Sequence, residues 1–88
     1  LKGLDVDFGD MDTPDAARLK PGDLLFFKGT DTSRPFQVGH VEMYLGQKKL
    51  IGHNDNGHPG PTVKNLDTFC RERANAGRTY IKTRRFLF

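Results

Sequence analysis

Few residues of this 88-residue chain could do acid–base or nucleophilic chemistry: His40, His53, His58 and the single cysteine, Cys70. His40 opens the run His40-Val-Glu-Met-Tyr-Leu45, and His53 closes the run Leu50-Ile-Gly-His53. A neutral imidazole, with an ordinary pKa of about 6.5, takes a proton from a thiol and returns it to a leaving amine. It does so better when its second nitrogen is held by a polar group. Two histidines at the ends of neighbouring strands suit that arrangement, and with it a cysteine or serine hydrolase. Read from spacing alone, they could equally be partly exposed strand-end residues with no chemical role.

The elements that must position them are short. Pro21-Gly22 is a turn signal, and Leu24–Phe27 is a continuous apolar run that fits a strand buried on both faces. Residues 28–35 read as a loop. Along His40–Leu45 the pattern alternates, with Val41, Met43 and Leu45 on one face and His40, Glu42 and Tyr44 on the other. A two-residue type II′ loop at Gly46-Gln47 would set His40 directly opposite His53. A four-residue loop, Gly46 to Lys49, would set His53 opposite Glu42 instead. Both place His53 on the face of His40. Residues 54–61 read as a loop, Thr62–Leu66 as a strand, and Asp67 or Thr68 as the cap of a short helix to about Asn75, stopped by Gly77. Arg78 to Phe88 closes the chain as a strand. The expected fold is α+β: a small antiparallel β-sheet with one short helix, in one domain.

Residues 1–16 hold five Asp and one Lys, a net −4, whereas residues 17–88 hold thirteen basic and six acidic residues, a net +7. Residues 1–18 therefore read as an acidic lead-in to the body at 19–88, with a helical turn near Thr13-Pro-Asp-Ala-Ala capped by Thr13. Asp5, Asp7, Asp10 and Asp12 invite a calcium loop, but their register misses the EF-hand, with Gly9 at the fifth position and Ala16 in place of the bidentate Glu. Zinc could draw on His40, His53, His58 and Cys70, though no pair has the tight spacing of a zinc motif. The site is therefore read without a metal or cofactor. A basic body could meet an anionic wall polymer, or be only a solvated surface. Nucleic acid is disfavoured, because no aromatic–basic interleaving or recognised motif is present. No run is long enough for a membrane span and no signal peptide is visible. The chain begins with Leu1, not Met, and is read as a piece of a longer protein.

Leu19-Lys-Pro-Gly-Asp-Leu-Leu-Phe-Phe27, Gly39-His-Val-Glu-Met-Tyr-Leu-Gly46 and Leu50-Ile-Gly-His53, in this order and spacing, resemble the second half of the NlpC family of papain-fold cell-wall peptidases. Arg84-Arg-Phe-Leu87 is similar to the closing strand of that domain, so the likeness covers roughly residues 19–87. It implies the sheet half of a papain-like domain, and cleavage of amide bonds in peptidoglycan stem peptides. It implies His40 as the general base and His53 as the polar group that orients it. An extracellular or wall-directed protein follows, secreted by a bacterium or encoded by a phage as an endolysin or tail protein.

The same family places its catalytic Cys ahead of the Pro-Gly-Asp block, where this chain has none. An upstream segment or a partner chain is expected to carry it, leaving the 88 residues inactive alone. The other reading is a non-catalytic wall-binding or assembly module that pairs with a chain supplying the missing helix. Cys70, beside Arg71 and Arg73 in the first turn of the expected helix, could be a nucleophile in a permuted arrangement. It reads more naturally as a thiol packed on the sheet.

Overall fold

Lys20-Pro-Gly-Asp23 forms the type II turn that its Pro-Gly pair dictates: Gly22 has φ 95, and the Asp23 amide donates to the Lys20 carbonyl at 3.0 Å. The chain leaves this turn into the sheet. The computed structural model describes residues 2–6, 13–29, 38–53 and 60–87. Among them run strands β1 (Lys2–Val6), β2 (Leu24–Lys28), β3 (Val38–Gly46), β4 (Lys49–His53) and β5 (Pro61–Asn65), helix α1 (Leu66–Asn75) and strand β6 (Tyr80–Leu87). The sheet order is β1-β6-β2-β3-β4-β5, and every neighbouring pair is antiparallel. The α+β expectation holds. Strands β2 to β5 form a meander, and α1 carries the chain from the β5 edge back to β6, which lies between β1 and β2.

Part of the acidic lead-in is a strand. Its charge hides a period-two pair, Leu4 and Val6, and β1 pairs with β6 from Lys2↔Leu87 to Val6↔Thr83. Without β1, the eight-residue β6 would be a bare sheet edge. The turn expected from Thr13 instead forms as a 3-10 turn over Ala16–Arg18, capped by Asp15, whose carboxylate accepts the Ala17 amide at 3.0 Å. Of the acidic residues considered for calcium, Asp5 lies in β1, and Asp7, Asp10 and Asp12 lie outside the described residues.

The helix begins earlier than expected because Asn65, not Asp67 or Thr68, is its cap: the Asn65 side chain accepts the Thr68 amide at 3.1 Å. It stops where expected. Gly77 turns to φ 75, the Arg78 amide donates to Arg73 O at 2.8 Å and the Gly77 amide to Ala74 O at 3.0 Å, the paired bonds of a Schellman ending. Its Leu66 and Cys70 bury against Leu19, Leu25, Phe27, Tyr44, Leu50 and Tyr80 to form the core. Strand β2 alternates, with Leu25 and Phe27 buried and Leu24 and Phe26 half-buried, so it is not buried on both faces as its sequence suggests.

The β3–β4 hairpin differs from both expected registers. Its loop is Gln47-Lys48, with φ 52 and 59, the signature of a type I′ turn. Left-handed backbone is unfavourable for residues with a Cβ. Here tertiary bonds impose it: the Lys48 amide donates to Tyr44 Oη at 3.0 Å, and Lys48 O accepts the Leu66 amide at 2.7 Å. Gly46, at φ 96, lies at the register shift beside the turn. Met43 then pairs with Ile51 and Tyr44 with Leu50, a slip of one residue from the register that sets His40 against His53. A one-residue slip exchanges faces, so Gly52 comes alongside Glu42, and the His53 backbone pairs with Pro61 of β5.

Candidate active site

The alternation read along β3 is present, and the row that carries Glu42 and Tyr44 is the buried one. Glu42 and Tyr44 are buried beneath α1, while Val41, Met43 and Leu45 are 41–43% exposed on the opposite face. A buried carboxylate needs hydrogen-bonded partners, and Glu42 has two. His40 Nε2 lies 2.5 Å from Glu42 Oε2, the two residues standing two apart on one face of the strand. Lys64 Nζ, from β5, donates to Glu42 Oε1 at 3.0 Å and Oε2 at 2.9 Å, and to Gly52 O at 3.2 Å. The His40 side chain retains 8% exposure, that of Glu42 none and that of Lys64 14%, so only the rim of the cluster meets solvent.

Two backbone features make room for this arrangement. At Gly52 any Cβ would overlap the Glu42 carboxylate, so the missing side chain on β4 is the space that carboxylate fills. Just before His40, Gly39 lies so close to Gly29 that a Cβ on either would collide with the other's backbone. That contact lies just beyond the register shift between Phe27 and Lys28, where β2 and β3 come together.

Aromatic rings enclose the imidazole. The Phe69 ring centroid is 5.7 Å and that of Phe27 6.3 Å from His40, with Phe27 and Phe69 edge-to-face at 5.2 Å. The Lys64 ammonium lies 4.8 Å over Phe69. Arg73 of α1 stands 5.7 Å from the Phe27 ring and 5.8 Å from that of Phe69, and its Nη2 donates to Lys28 O at 2.8 Å, fixing the helix to the end of β2. Rigid elements thus hold every member of the cluster.

An ionised carboxylate only accepts hydrogen bonds. With Glu42 also receiving Lys64, the His40 bond makes Nε2 the protonated ring nitrogen and Nδ1 the one that can take a proton. The cluster can therefore act as an oriented general base. Lys64 is a donor with no lone pair to offer a metal, and among the described residues no group of three or more His, Cys, Asp or Glu could hold one. His58, drawn on for zinc, lies outside the described residues.

Of the residues singled out in the sequence, His40 is in the cluster, and the register does not set His53 opposite it. Cys70 is fully buried in the core, and because α1 starts at Leu66 it falls in the second turn and not the first. Glu42 and Lys64 were not singled out as site residues. The Glu42 signal was available, a carboxylate two residues from a histidine on one strand face. Lys64 joins only through the β4–β5 pairing, Leu50 opposite Lys64.

A family model described as the NlpC/P60 family matches residues 6–76, most of the chain. No curated protein matches it.

Proposed function

The chain belongs to the NlpC/P60 family, generally cysteine peptidases that act on the cell wall, and we propose that it is the base-bearing part of a peptidoglycan endopeptidase or amidase. The observation that carries the reading is His40 held at 2.5 Å by a buried carboxylate. Nδ1 of His40 takes the proton of a cysteine thiol. The thiolate adds to an amide carbonyl of a wall stem peptide, and His40 returns the proton to the leaving amine as the C–N bond breaks. A water molecule, deprotonated by His40, then hydrolyses the thioester and restores the thiol. Glu42 takes the orienting role that the family resemblance gave to His53, holding the tautomer and stabilising the imidazolium as it forms.

The thiol comes from outside these residues. Cys70 is the chain's one cysteine and lies in the apolar core, where a thiolate is disfavoured. An upstream segment or a partner chain supplies the nucleophile, and the site of action is the wall, reached by a secreted or phage-encoded protein.

The test is peptidoglycan digestion by a protein uniting this chain with its cysteine-bearing segment. His40→Ala is expected to lower kcat by at least about a thousandfold, measured below the thermal midpoint of the variant so that it is folded in the assay. Wild-type turnover in that variant sinks the assignment.

A further inference from the structure

The Glu42 carboxylate is placed by more than its own strand. Three of its surroundings are fixed: the ammonium of Lys64 on both oxygens, the open space over Gly52, and the His40 ring. Lys64 is fixed in turn by Gly52 O and by the face of Phe69, the ring that also flanks His40. We infer that Lys64 is a positioning residue for the reaction: it holds Glu42 in the slot above Gly52 and, through Glu42, sets the tautomer and plane of His40. The inference rests on the reading of His40 as the base.

The chemistry of the three groups supports this. A carboxylate with one partner can rotate about its last bond and present either oxygen, or its edge or face, to that partner. Lys64 bonds to both oxygens, so rotation of Glu42 breaks one bond or both. A carboxylate pinned in this way accepts from Nε2 along a single direction. A lysine serving only to neutralise buried charge would need one contact; the contacts of Lys64 include both Glu42 oxygens, Gly52 O and the Phe69 ring, and these four lie around His40.

Lys64→Met keeps the aliphatic stem and removes the donor. Two measurements decide its effect. The first is the long-range ¹H–¹⁵N spectrum of the His40 ring in this chain at about pH 8, where an imidazole is ordinarily neutral. Wild type is expected to show the Nε2–H tautomer alone, and Lys64→Met a mixture with Nδ1–H. The second is turnover in the protein that carries the nucleophile, where kcat is expected to fall about tenfold or more with KM within about twofold, as for a misplaced catalytic group. Lys64→Arg keeps the cation, so the fold survives even where Met leaves Glu42 uncompensated. Its planar fork can span both carboxylate oxygens but cannot hold them, Gly52 O and the Phe69 face from one nitrogen as the ammonium does, and a kcat loss of about threefold with a broadened tautomer signal is expected. A single Nε2–H tautomer with wild-type kcat in the folded variants overturns the inference, as does a kcat loss that tracks the thermal midpoint and vanishes on cooling. Because the tautomer is read without turnover, failure of the peptidase reading and failure of the Lys64 role give different results.

Discussion

Among the described residues, Asp23 and Glu42 are buried carboxylates, each beside a cation, and they do different work. Asp23 is bound bidentately by Arg85, Nε to Oδ1 and Nη2 to Oδ2, both at 2.8 Å, and accepts the Lys20 amide at 2.9 Å. Arg85 also reaches Arg18 O at 3.0 Å, so the ion pair ties the 3-10 turn and the Pro21-Gly22 turn to β6. Each of these partners is a guanidinium or a backbone amide, groups that do not exchange protons in the physiological range. Glu42 has a similar cation but shares its carboxylate with an imidazole. A buried ion pair is weak evidence of a site, since structural pairs are common. The histidine on the second pair turns a fastening into a candidate catalytic group.

The sharpest way to break this comparison is to make the same isosteric change at both. Glu42→Gln is expected to reduce wall cleavage by about a hundredfold or more, because an amide can present its NH₂ to His40 and reverse the tautomer. Asp23→Asn is expected to leave kcat within about twofold. Its effect falls on stability, a loss of about 2–3 kcal/mol in a denaturant titration, toward the low end for a severed buried pair because the Arg85 side chain keeps 25% exposure to solvent. If both variants lose activity equally, or if Asp23→Asn alone does, the division of labour is wrong.

Much of this contrast was readable in the sequence and part of it was not. The Pro21-Gly22 turn, the alternation along β3 and the Gly77 stop are local signals, each set by backbone chemistry within a few residues. What escaped depends on distant partners. The Gln47-Lys48 turn takes left-handed backbone because Tyr44 Oη and the Leu66 amide hold it there, and no turn propensity encodes that. The resulting slip of one residue moves Gly52 alongside Glu42, which could not be read from loop preferences. Lys64 joins from 22 residues away. Alternation alone does not say which row is inside: here Val41, Met43 and Leu45 are exposed and the row of Glu42 and Tyr44 is buried.

Acid sharpens the comparison further, with a smaller effect. Burial pushes the Asp23 carboxyl up, but the Arg85 hydrogen bonds, the Lys20 amide and the charges of Arg85 and Lys20 together outweigh it, leaving the group below its ordinary 3.8. A carboxyl with a folded-state value below its unfolded one binds fewer protons when folded, so it adds stability at higher pH. That contribution is complete above about pH 4 and is lost as the pH falls through the folded-state value. Urea midpoints measured from pH 5 down to pH 2 are expected to fall for the wild type and to fall less steeply for Asp23→Asn. Parallel slopes would mean that Asp23 is not the fastening described here.

The smallest effect is expected at Cys70, and it tests the half of the argument that assigns the thiol elsewhere. Its side chain packs in the core cluster with Leu66 and with Phe27 of β2, with no exposed surface. Removing one buried sulfur leaves a space smaller than that of a Leu→Ala change, so Cys70→Ala is expected to cost about 1 kcal/mol and to leave kcat unchanged. An alkylating reagent should reach the thiol only at the rate at which the sheet opens. Loss of turnover in a folded Cys70→Ala variant, or rapid alkylation of the native chain, would return Cys70 to the role of nucleophile. The pairing of His40 with Glu42 would then have to be read beside a thiol on its own helix.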